Sequence, residues 1–597
     1  MSSIDPNARK DVNDAIINAG SAAVGQMIDT ANSSLKSVAR TEMSELDVRV
    51  KKKLRRIRRM LLRAAPLART TSQPRTSRTL TSSDSPTINA SSTATFWHLM
   101  DTNALVDIVH EVQSQLWVDK INEAHRSDHL CKWVSTFHPG RLPCQLDGTF
   151  HHGAFNAGMV SDDYADEKVA MEVAALNLIG NRTSIPVPKV RAWGPAVRNA
   201  LGLGPFIMMD FVDGASLSEL LRDPDAELPT RLMGEDISDS DVEFIYRQLA
   251  NFLLQIFKLD FDQIGSLPSP EAEAASPTPR RPLTFKAHSI LQNGGVDTFG
   301  DRSQGFATVT EYFQHVVGQD WEQLVYQPNS IFGSYDAQNK YVAFKALRNL
   351  IPDMVHEQYD SRKFKLICDD LGLANLIVRG RDNLTVVGVV DLEWSYIGPA
   401  QLFGSAPWWL LQDRPVNSSW DYTGDDPPKI ADRYFKYLDI FIRVLEEEEA
   451  RMTENEEKEL SSLVKWSQAS GAMWLHMLIL SGFNDHRSFP FTQLRQHLGD
   501  AKWAQYEKGC GNAEELGAFA ARKVIQLDEY DEALEKREEE KALVDSGKMT
   551  KEAFIAKALS LSDEPCHSDT PIVPKDDMGI LEGFIHKVAV WLGLRAT

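Results

Sequence analysis

Two apolar strand signals in the middle of the chain, FKLICDD (364–370) and LTVVGVVDLEW (384–394), restrict its fold more than any other feature. The first carries Phe, Leu and Ile and the second Val and Leu, with Asp369-Asp370 closing the first and Asn383 preceding the second, which is how strands read. A loop joins them, and both strands end in carboxylates. Polar groups gathered at the ends of strands, where loops begin, are placed for function rather than for packing. Asp370 opens the loop, an amide (Asn375) follows five residues later, and Asp391 ends the second strand 16 residues after that. Phosphoryl transfer needs such a set. One carboxylate accepts or orients the attacking hydroxyl, while an amide oxygen and a second carboxylate hold Mg²⁺ against nucleotide phosphates. Hard oxygen donors suit Mg²⁺, which takes few protein ligands and keeps some of its waters.

Other chemistries lack their signatures. Among the 597 residues there is no G-x-S-x-G, no Walker A sequence, no dinucleotide G-x-G-x-x-G and no H-E-x-x-H. The five cysteines (131, 144, 368, 510, 566) are far apart and never spaced CxxC, which argues for a reducing compartment and against a cysteine zinc site. No run approaches the roughly 18–20 apolar residues of a membrane span. The first residues carry Asp5, Arg9, Lys10 and Asp11, unlike a secretory signal. The formal net charge of −20 makes the body acidic and disfavours nucleic-acid binding. Residues 1–80 are the exception, with 16 Lys and Arg against 7 Asp and Glu.

Composition divides the chain. Residues 1–64 read as a helical, basic extension, and 65–95 as a disordered linker rich in Ser, Thr and Pro. Residues 96 to about 505 have globular composition, and 506–597 read as a charged helical tail with a short terminal helix (581–596). Within the globular zone, 184–194 reads as turn and strand, 206–214 as a strand closed by Asp213-Gly214, and 241–259 as a buried helix. The Pro-rich stretch 268–282 reads as a surface insertion, and 526–545 as a solvated charged helix. Residues 48–65 form a basic amphipathic pattern compatible with an anionic membrane surface, a nuclear-import patch or a solvated coiled-coil-like helix. From Met60 onward the chain has four arginines and no acidic residue before Asp84, the composition of a mitochondrial transit segment in an internal position. The location expected is intracellular, cytoplasmic or mitochondrial.

The loop Cys368-Asp369-Asp370-Leu371-Gly372-Leu373-Ala374-Asn375, followed by DLEWSYIGPAQLFGSAPWWLL (391–411), resembles the aminoglycoside phosphotransferase family, more narrowly a fungal branch of it. GAFNAG (153–158), EVAALNLI (172–179), TSIPVPKVRAWG (183–194) and FDQIGSL (261–267) match in the same order. The resemblance covers roughly residues 110–505. It implies an α+β, two-lobed protein-kinase-like fold, with a small β-rich N-lobe (96–215) and a mainly helical C-lobe (216–505). It also implies ATP- and Mg²⁺-dependent phosphorylation of a hydroxyl on a small molecule. By the same resemblance Asp370 is the catalytic base, and Asn375 and Asp391 are metal ligands. Glu172 is the helix glutamate that pairs with a phosphate-contacting base. Gly153, Phe155 and Asn156 belong to the phosphate-covering turn, and Met209 and Phe211 to the hinge that meets adenine.

Three departures accompany the match. Cys368 replaces the histidine of the family's loop. Gly372-Leu373-Ala374 is apolar for a loop that faces substrate. Only 11 residues (161–171) separate Val160 from Glu172, too few for the strand that carries the family's phosphate-clamping base, and Lys168 is the one basic residue there. Lys168 precedes Glu172 by four residues, so the two share a helix face. The alternative reading is therefore a kinase-like scaffold with impaired catalysis. Asp369 and Glu393 are expected as supporting or solvent-exposed groups, and Trp408 and Trp409 as packing residues of the C-lobe, with a stacking platform for substrate as the alternative.

Overall fold

The computed structural model describes residues 102–145, 162–224, 232–270, 280–405, 407–417, 420, 427–452 and 458–560. They fall in two units: residues 332–337 belong to one, and all the others to the second. The expectations for residues 1–95, among them the basic segment 48–65 and the stretch from Met60, lie outside the described residues. So do those for 581–596 and for Gly153, Phe155 and Asn156.

The helices include α1 (Ala104–Arg126), α2 (Asp162–Arg182), α3 (Asp239–Phe257), α4 (Phe285–Gly294), α5 (Val309–Tyr326), α6 (Ser334–Met354), α7 (Lys429–Met452), α8 (Glu459–Ser470), α9 (Ala472–Leu480), α10 (Ala513–Asp545) and α11 (Lys551–Ser560). The strands are β1 (Val190–Gly194), β2 (Phe206–Met209), β3 (Ala215–Ser216), β4 (Gly265–Ser266), β5 (Lys365–Cys368), β6 (Leu376–Gly380), β7 (Asn383–Val389) and β8 (Ser395–Gly398).

Local chemistry explains the helix limits. Ser238 caps α3 by accepting from the Asp241 amide, and the helix buries Val242, Ile245, Tyr246, Leu249 and Leu254 at helical spacing. Thr308 and Glu311 form a reciprocal capping box on α5, and Asn512 and Glu515 do the same on α10. The expected helix 241–259 is thus observed as α3. The expected strand 206–214 is shorter, because Phe206–Met209 alone pairs, with β1.

Among the described residues, three small antiparallel sheets carry the middle of the chain: β1-β2, β3-β6-β7 and β4-β8-β5. The strand expected over 384–394 divides here. β7 ends at Val389, Asp391 takes a left-handed φ of 58°, and β8 begins at Ser395. The turn at Asp391 carries the chain from the sheet of β6 and β7 into the sheet of β5 and β8.

The helix expected to be solvated over 526–545 is the second half of α10, and one face of it is buried. Phe519, Leu527, Tyr530 and Leu534 lie on that face at helical spacing. The Tyr530 hydroxyl accepts from the Ala104 amide at 2.9 Å. Lys523 donates to the Gln327 carbonyl, beyond the end of α5, at 2.8 Å. Most of the charged residues that dominate the sequence of α10 lie on its other faces, while Lys523 and Glu540 are buried.

Candidate functional site

Two backbone hydrogen bonds build the site. The Asp369 amide donates to the Trp394 carbonyl at 3.1 Å, and the Val390 amide donates to the Asn375 carbonyl at 3.0 Å. The first extends the pairing of β5 with β8, the second that of β6 with β7. Together they lay the loop 369–375 alongside 390–394. Asp370, Asn375 and Asp391, expected to act together, are held in these two adjoining segments.

Each side chain has a defined setting. Asn375 donates its amide to the Asp370 carbonyl at 2.9 Å, so its oxygen is the atom it can offer to a cation. Arg414 donates to the Asp370 carboxylate at 2.9 Å. The Arg414 guanidinium is stacked 4.1 Å from the Trp408 ring and 4.6 Å from Phe285. Asp369 is buried, accepting from the Phe285 amide at 3.3 Å and the Tyr396 hydroxyl at 3.2 Å. Burial pushes its carboxyl up to about 7. Asp369 is therefore not solvent-exposed.

Helix α2 supplies the remaining charges. Lys168 and Glu393 form a buried ion pair at 2.7 Å, and the lysine lies 4.9 Å from the Trp394 ring. Glu393 is thus not solvent-exposed. Lys168 reaches across to the segment after β7. Glu172 accepts from the Leu392 amide, yet burial and the charges of Asp391 and Glu393 raise its carboxyl from 4.5 to about 8, against the pull of Lys168. Burial raises Asp391 as well, aided by Glu393 and Asp370. Carboxylates outnumber cations here, and the surplus raises their proton affinity. A hard divalent cation fits such oxygen donors, with Asp391 and Asn375 as the residues that would hold it.

Helix α2 is fixed in place. Glu167 is gripped by both terminal nitrogens of Arg302, at 2.7 and 2.5 Å. Tyr164 donates to Asp297 at 3.1 Å.

Two departures of the loop have structural reasons. The Cys368 thiol sits on β5 and accepts from the Ser395 hydroxyl at 3.3 Å, and burial pushes it up to about 11. Gly372 lies against Trp408: a Cβ at this position would stand 2.6 Å from the indole. Leu371 and Leu373 are buried, so the apolar residues of the loop pack inward while Asp370 stays partly open. Trp409 packs on Tyr246 and Phe441, as expected of a packing residue.

Of the two residues expected at the hinge, Met209 ends β2 paired with Val190 of β1, and Phe211 beyond the strand is exposed. The chain then runs beside β6 and β7. At Gly214 a Cβ would stand 2.4 Å from the Val378 carbonyl oxygen, and at Gly388 it would stand 2.5 Å from Val212. Sequence reasoning missed Arg414 and the pairing of Lys168 with Glu393. The Arg414 contact spans 44 residues, and no local spacing signals it.

No family model matches the chain. Part of it is similar to yeast proteins called altered inheritance of mitochondria protein 9, mitochondrial. In Lodderomyces elongisporus the identity is 24% over 176 residues, 28% of this chain and 24% of the relative. In Scheffersomyces stipitis it is 27% over 154 residues, 25% of this chain and 21% of the relative. In Clavispora lusitaniae it is 25% over 155 residues, 23% of this chain and 22% of the relative. The matched stretches thus span about a quarter of these relatives' length.

Proposed function

We propose that the chain is a phosphotransferase of kinase-like fold, resembling the aminoglycoside phosphotransferases, that moves the γ-phosphoryl group of ATP to a hydroxyl of a small molecule. The observation that carries this reading is the pair of backbone hydrogen bonds joining 369–375 to 390–394, which holds Asp370, Asn375 and Asp391 in adjoining segments. Asp370 accepts the proton of the attacking hydroxyl, and Arg414 orients its carboxylate. Asn375 and Asp391 hold Mg²⁺, which neutralises charge on the phosphates when bound. Lys168 is the basic residue nearest this role on α2, and release from Glu393 would turn it toward a phosphate. The names of the yeast relatives support a mitochondrial location.

Thermal unfolding of the full chain with and without millimolar Mg-ATP tests the reading. A ligand that binds only the folded state raises its stability, by about 2.7 kcal/mol at a hundredfold excess over Kd. We expect a rise in Tm that Asp391→Asn abolishes. No rise in the parent protein overturns the proposal.

The engagement of Lys168 by Glu393 favours a second reading, a nucleotide-binding scaffold with impaired catalysis. A Mg-ATP shift without transfer to any acceptor or to water would select it.

A further inference from the structure

Beneath the loop that carries Asp370 is a cavity of about 130 Å³. Ile256 of α3, Phe441 of α7 and Met477 of α9 contribute to a largely apolar wall. Asp369, Trp408 and Arg414 also line it. Arg414 thus joins the cavity to the site, because the same guanidinium holds the Asp370 carboxylate.

This lining selects among acceptors. A molecule with many hydroxyls would bury polar groups against hydrocarbon, and each one left unpaired would weaken binding. A cationic body would face the Arg414 charge. An apolar chain or ring loses nothing there and gains from leaving water. We propose that the acceptor is an alcohol with an apolar body, seated in this cavity with its hydroxyl directed past Arg414 to Asp370. The inference rests on the phosphotransferase reading above. In the transfer, the alcohol oxygen bonds to the γ-phosphorus and its proton passes to Asp370. The bond from the γ-phosphorus to the β,γ-bridging oxygen breaks, and ADP leaves with that electron pair.

Calorimetric titration of the full chain with 1-octanol, with kanamycin as a polar cationic comparison, tests the inference. We expect saturable octanol binding, at least about tenfold weaker in Met477→Trp because the larger side chain fills the cavity, and octyl phosphate as a product with Mg-ATP. Met477→Ala, which enlarges the cavity, guards against a misfolded tryptophan variant and should retain octanol. Absence of octanol binding while the Mg-ATP shift persists overturns the acceptor class alone. Octanol binding without any Mg-ATP shift overturns the acceptor role, since the reading beneath it has failed. Equal binding of kanamycin, unaffected by Met477→Trp, also overturns it.

Discussion

Lys168 and Glu393 show how strongly single residues are coupled in this site. Both side chains are almost wholly removed from water and lie 2.7 Å apart. Removing one partner strands the other charge, so Lys168→Met should cost about 3–5 kcal/mol in urea unfolding. Adding Glu393→Gln should recover much of that loss, and strict additivity of the two changes would refute the coupling. Glu172 gives a pH signature. Its folded carboxyl is raised from 4.5 to about 8, so the folded state holds a proton that the unfolded state has released. Stability from this group is present below pH 4.5 and is lost as pH rises toward 8. Glu172→Gln should therefore become more stable relative to the parent across that range. A constant difference between about pH 5 and 8 would contradict the assigned shift. At this scale the placing of Asp370, Asn375 and Asp391 in adjoining segments was legible from the resemblance of the loop and the strand after it to a known family. Arg414 was not, since its bond to Asp370 closes through tertiary packing.

Elements show the same division. The strand at 365–368 and the helix at 239–257 were legible from apolar runs and periodicity. The break after β7 was not, because nothing in VVDLEW announces a left-handed Asp391. Such backbone is uncommon outside glycine, and here it turns the chain between two sheets at Asp391. Gly372 makes a related prediction. Its approach to Trp408 leaves no room for a methyl group, so Gly372→Ala should move the loop and cost about 1–3 kcal/mol. The variant should also lose its response to Mg-ATP, whereas an unchanged Tm and an unchanged response would show that the indole yields freely.

Across the whole molecule, α10 is the element whose role composition concealed. Its charge suggested a solvated rod, yet Phe519 stacks on Trp321 with ring centroids 5.9 Å apart and meets Tyr341 at 5.0 Å. Phe519→Ala should cost about 3–5 kcal/mol by urea unfolding, and a loss under about 1 kcal/mol would mean that α10 adds little to the fold. The helical spacing of Phe519, Leu527, Tyr530 and Leu534 held the signal, outweighed by the surrounding Glu and Lys.

The two backbone hydrogen bonds of the site also bear on the order of folding. They close between residues 369 and 394 and between 375 and 390, within one short meander. Short loops lose little entropy on closure, whereas Lys168 must arrive from a helix more than two hundred residues earlier in the chain. Loop closure alone therefore favours gathering the acidic groups before Lys168 reaches them, with Arg414, 44 residues from Asp370, the nearer cation to arrive. Divalent cations present during refolding should then raise the refolding rate, read by stopped-flow tryptophan fluorescence.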